Sequence, residues 1–88
     1  MRNEEFGIIT FQSTHHAIKG ESILKEIEVP FKTIPTPREI TLSCGLSIRF
    51  DLNYLDEIKN SIDEKQLAIK GIYRYTREEG MVRLEKLI

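Results

Sequence analysis

The sequence predicts an α+β fold of order β-α-β-β-α-β, an antiparallel sheet with two helices on one face. Three observations predict it. Four short runs rich in β-branched and aromatic residues, "FGIITFQ", "PFKTIP", "GLSIRFD" and "AIKGIYRY", read as strands. The first pair and the last pair are each separated by a stretch whose apolar residues recur at helical spacing. Pro30 and Pro35 bracket the second run, which marks it as an edge. Right-handed crossovers turn this order into a split βαβ, ferredoxin-like sandwich, a four-stranded sheet of order 4-1-3-2 with strands two and four at its edges.

Each element has its own warrant. Residues 6–12 are apolar on both alternating phases, Phe6 and Ile8 on one, Ile9 and Phe11 on the other, as in a central strand covered on at least one face. Ser13 or Thr14 caps the first helix. Its stripe is Ala17, Gly20, Leu24 and Ile27, with Ile23 beside them. A helical Gly costs about 1 kcal/mol against Ala, and Gly20 is read as letting the helix approach the sheet. Pro30 ends that helix. In the third strand Leu46, Ile48 and Phe50 point inward, Ser47 and Arg49 outward. Asp51 or Asn53 caps the second helix; Asp51 would set Phe50 against Leu55 as a hydrophobic staple, and Leu55, Ile58 and Ile62 form the stripe. Residues 1–76 are thus one domain. Residues 77–88 form a tail whose Met81, Leu84 and Ile88 are spaced as in a short helix, too short to be stable alone.

Strands two and three should join as a hairpin, whose loops usually take about 2–5 residues. Here residues 35–44 intervene, and loops of that excess are often functional. "TPRE" (36–39) is a capping box, with Thr36 as N-cap, Pro37 at the first helical position and Glu39 at the third. It predicts a short helical turn over 37–43, ended by a left-handed Gly45. Cys44, the single cysteine, follows that turn. It is expected on the side of the sheet where both long helices end, where the helix dipole disfavours a thiolate. Activation would then fall to Arg38, a second loop cation or the amides of Gly45 and Leu46. Packed as a small apolar residue, Cys44 would do no chemistry, and free Cys is among the most buried residue types.

Composition narrows the function. The net charge of -1 gives no electrostatic argument for nucleic acid or an anionic membrane. Arg74 between Tyr73 and Tyr75, with Lys70 nearby, lacks the aromatic platform of single-strand binders. No apolar run approaches the roughly 20 residues that span a bilayer. The N-terminus does not read as a signal peptide. One Cys makes no internal disulfide, so a cytoplasmic setting is the default. His15 and His16 are adjacent, point to different faces and make a poor metal pair; a surface or capping role is expected, at the opposite sheet end from Cys44. No cofactor is implied.

At three segments the chain resembles a family. "TFQSTHHAIKGESILKE" (10–26), "VPFKTIPTPREITLSCGLSIRFD" (29–51) and "IKGIYRY" (69–75) look like a small bacterial family described as Se/S carrier protein-like, over about residues 6–75. The most specific part is the "PTPRE…SCG" loop, supported by Ser13, Thr14 and His15 and by "GIYR". The resemblance implies that Cys44 carries sulfur or selenium as a persulfide or selenenylsulfide. Pro35, Pro37, Arg38, Glu39, Ser43 and Gly45 match the family's loop positions, and Thr36 caps the same loop. It also implies a donor enzyme of desulfurase or lyase type and an acceptor protein, with this chain a carrier rather than a true enzyme. A second reading is a non-catalytic module whose loop binds a ligand or partner and whose Cys44 is structural.

Overall fold

A computed structural model describes residues 4–40 and 45–88. The elements are β1 (Glu4–Thr10), α1 (Thr14–Glu26), β2 (Phe31–Pro35), β3 (Leu46–Phe50), a 3-10 turn (Leu52–Tyr54), α2 (Leu55–Lys65), β4 (Gly71–Glu78) and β5 (Met81–Lys86). All strand pairs are antiparallel, and the sheet runs β2-β3-β1-β4-β5.

The fold is therefore α+β with two helices and five strands. The four-stranded, ferredoxin-like sheet expected from the sequence is matched only in part. The first four strands follow the order 4-1-3-2, but β4 is not an edge, because residues 81–86 add a fifth strand beside it. The helix expected in the 77–88 tail is not formed. Glu79 and Gly80 both take positive φ, 49° and 81°, which builds a two-residue hairpin closed by the pair Glu78 and Met81. On strand positions the apolar residues of the tail sort by face: Val82 and Leu84 share one, Met81 and Leu87 the other.

The helices follow from their stripes and caps. Ser13 caps α1, its side chain accepting the His16 N–H at 3.3 Å, as one of the two expected caps. Ala17, Gly20, Ile23 and Leu24 are buried. A Cβ on Gly20 would stand 2.8 Å from the Phe11 ring, so the close approach expected there is real. Asp51 caps the 3-10 turn through the Asn53 N–H at 2.8 Å, and α2 begins only at Leu55. Glu26 at the end of α1 meets Lys65 at the end of α2 at 2.9 Å. That hydrogen bond and the carboxylate charge hold the Lys65 ammonium above the ordinary lysine range. The pair is exposed and adds little to stability.

Both helices pack on the sheet face that carries Ile9, Ile48, Phe50 and Ile72, and with Phe11, Val29 and Leu67 they form the main core. Gly7 lies on this face opposite Phe50. A Cβ there would stand 2.2 Å from the Phe50 ring, which is itself 2% exposed and has nowhere to go. Gly7→Ala should therefore lower the unfolding free energy by about 2–3 kcal/mol, as overpacking does. Denaturant unfolding measures it, and Phe50→Leu in the same chain should restore part of the loss; additive effects of the two changes would show that the ring is not the obstacle.

Candidate functional site

The β2–β3 loop is built from its base. The Thr36 N–H donates to the Gly45 carbonyl at 3.0 Å, and the Thr36 and Ser47 hydroxyls are 2.7 Å apart. These bonds close the neck of the loop one residue beyond the β2–β3 ladder, whose last pair is Pro35 with Leu46. Within the loop the Ile40 N–H donates to the Pro37 carbonyl at 3.0 Å, a single turn over 37–40. Thr36 engages a strand residue here, across the neck. Pro37 is half-buried, while Arg38 and Glu39 are exposed. The remainder of the expected turn, with Ser43 and Cys44, lies outside the described residues, and so does the backbone angle at Gly45 that depends on Cys44. Gly45 itself is exposed, and a Cβ built on it would meet nothing within 4 Å.

The turn brings Ile40 back onto the sheet face that the helices leave open. There it joins Phe6 and Ile8 in a second buried cluster, flanked by Ile34, Tyr73, Tyr75 and Leu84. Sequence reasoning missed this cluster. It rests on Ile40 crossing from the loop to β1, a contact with no local periodicity. Ser47, expected outward, is on the same face and fully buried, its hydroxyl engaged by Thr36. Farther along the same face the Phe6 ring is held between two partners. Tyr75 stacks on it with centroids 4.6 Å apart, and the Arg49 guanidinium sits 3.8 Å from its centroid. The alternation of β1 and β4 carried that signal: Phe6 and Tyr75 fall on one face once the two strands are paired.

The position of the histidines is a correction. β1 and β3 are antiparallel, with Thr10 opposite Ser47 and Gly7 opposite Phe50. The C-terminal end of β1, and hence the start of α1, stands at the same sheet end as the loop neck. His15 and His16 are at that end and not at the opposite one. α1 does not end there, as the sequence led one to expect, but begins there. His16 Nδ1 lies 3.0 Å from Ser13 Oγ, so His16 belongs to the cap, and the two imidazoles meet edge-on at 6.1 Å. Among the described residues no three His, Cys, Asp or Glu side chains gather as a metal site. The start of β4 joins the same end: Gly71 pairs with Thr10, the Thr10 hydroxyl donates to the Gly71 carbonyl at 3.2 Å, and the Lys70 N–H donates to the Thr10 carbonyl at 2.8 Å.

The three segments that carry the family resemblance thus meet at one end of the sheet: the cap at 13–16, the loop neck and the start of β4. A small α+β domain with an overlong hairpin loop clamped at that end is the class that fold and site define. Residues 6–74 match the family described as "Putative Se/S carrier protein-like", and the chain belongs to that family. No curated protein and no solved structure matches the chain. No helix among the described residues is long and apolar enough to cross a membrane.

Ile40 tests how firmly the loop is fixed. It is 8% exposed, so Ile40→Ala should lower stability by about 2 kcal/mol, the low end for a buried aliphatic residue, because the cluster is small. Amide exchange should rise at Thr36 and Ile48 more than in α1. Uniform exchange changes across the domain would show that the loop is not separately anchored.

Proposed function

We propose that the chain is a carrier that holds one sulfur or selenium atom on Cys44 and passes it from a donor enzyme to an acceptor protein. The observation that carries the reading is the convergence of the three family segments on the sheet end where the loop neck closes, together with membership of the family. Cys44 is one peptide bond from Gly45, whose carbonyl takes part in that neck. Pro35, Thr36, Pro37, Arg38, Glu39 and Ser43 are the supporting loop in this reading.

The chemistry is exchange at sulfur. The Cys44 thiolate attacks the terminal sulfur of a donor persulfide, a new S–S bond forms, the donor's own S–S bond breaks, and the donor leaves as a thiolate. Selenium in place of the terminal sulfur gives a selenenylsulfide by the same displacement. An acceptor nucleophile then takes the terminal atom, and Cys44 returns as thiolate. The rate follows thiolate fraction and access. The dipole objection weakens, because the N-terminus of α1 stands at the same sheet end as the loop neck and favours negative charge. Arg38, exposed on the loop, is the cation we assign to stabilise the thiolate. A free thiol that must stay reduced between cycles fits the cytoplasm.

Ile40 favours a second reading. It gives the long loop a packing role without any thiol chemistry, as in a non-catalytic module that binds a ligand or partner with a structural Cys44.

A mass measurement separates the two. Incubated with a cysteine desulfurase and cysteine, or a selenocysteine lyase and selenocysteine, the protein should gain one sulfur or one selenium atom, lost again on reduction. Cys44→Ser should gain none and keep its fold within about 1 kcal/mol. No gain from either donor overturns the carrier reading; loss of the fold in Cys44→Ser would mark the cysteine as structural.

A further inference from the structure

The two edges of the sheet are unlike. β2 is bracketed by Pro30 and Pro35 and carries an exposed Lys32, devices that discourage strand addition. β5 has no proline and no bulge in its pairing with β4, and among the described residues no strand lies on its outer side. Two of the three exposed large apolar side chains among the described residues, Met81 at 76% and Ile88 at 49%, belong to this strand and its extension.

The hydrogen-bond parity of β5 is fixed. The hairpin closes on Glu78 and Met81, and the Leu87 N–H donates to the Ile72 carbonyl at 2.7 Å. Odd-numbered residues of β5 therefore bond inward to β4, and Val82, Leu84 and Lys86 turn their N–H and C=O groups outward. An antiparallel copy centred on Leu84 satisfies all of them: Leu84 pairs with Leu84 of the copy, and Val82 with Lys86. In that register Arg83 falls opposite Glu85, and by symmetry Glu85 opposite Arg83, in the closely spaced non-bonded pairs where side chains interact most. Met81 falls opposite Leu87, which covers its exposed side chain. Glu85 already meets Arg74 at 3.3 Å, so the carboxylate would lie between two guanidinium groups.

We propose that the occupant of this edge is a second copy of the chain, joined β5 to β5 about a two-fold axis at Leu84 into a ten-stranded sheet. The interface is isologous, and its register is set by the paired Arg83 and Glu85. It is independent of Cys44, and Cys44→Ser should associate as the wild type does. The two loop necks would lie at opposite ends of the strands, eight strand spacings of about 4.8 Å apart across the sheet, roughly 40 Å in that direction.

Sedimentation velocity tests it. Wild type should sediment as a dimer. Arg83→Glu and Glu85→Arg, both at exposed positions, should each weaken association about tenfold or more, since each puts like charges opposite across the dyad. An equimolar mixture of the two variants should recover wild-type association, because each then faces its complement. A wild type monomeric at its highest soluble concentration overturns the proposal and leaves the β5 edge to a strand of another protein. So do single variants that dimerise as well as wild type, or a mixture no tighter than its components.

Discussion

The structure depends on the burial of β1 on both faces. Ile9 is 1% exposed beneath the helices, and its neighbour Ile8 is fully buried on the face the helices never reach. Two helices cover one side of a sheet; the other needs a different cover. The β2–β3 loop supplies it by folding Ile40 back over Ile8 and Phe6. The length of that loop, its turn at Pro37 and its closed neck all follow from this requirement. Burial then brings its own demand. Ser47 is fully buried on this face with a hydroxyl that must be satisfied, and Thr36 satisfies it at 2.7 Å. The segment that carries the family's loop pattern is thereby part of the core as well as part of the candidate site.

The sequence made the helices legible because their signals are local. A Ser before an apolar stripe of period 3.6, an Asp two residues before Asn53, and prolines at strand ends act within a few residues of themselves. The fifth strand was harder to read because Met81, Leu84 and Ile88 fit a helical period as well as Val82 and Leu84 fit an alternating one. The deciding feature was Glu79–Gly80, a weaker hairpin signal than Asn-Gly or Asp-Gly, since Glu reaches positive φ only with strain. The site was legible in its residues and misplaced in its surroundings. Which sheet end the loop shares with α1 is fixed by the direction in which β3 pairs with β1, and pairing direction is a property of contacts far apart in sequence. The same holds for Ile40, whose partners are some thirty residues away along the chain.

Tight backbone approach runs through the interior. Gly7 gives the Phe50 ring its place over β1, and Gly20 does the same for Phe11 under α1. Both rings belong to the helix-side cluster. The two faces of the sheet thus differ in kind. One is filled by aromatic rings pressed against backbone. The other is a thinner layer in which Phe6 lies between Tyr75 and Arg49, half open beyond the reach of the loop.

The blunt edge at β2 has a consequence for how this domain behaves in a crowded solution. A sheet with two open edges can recruit neighbours on both sides and grow into a filament without end. With proline at each end of β2 and Lys32 between them, growth on that side is disfavoured. A strand that joins the β5 side therefore tends to end the series instead of propagating it. The domain tolerates one open edge because the other is blunted, and the five residues of β2 at the far side of the sheet disfavour polymerisation.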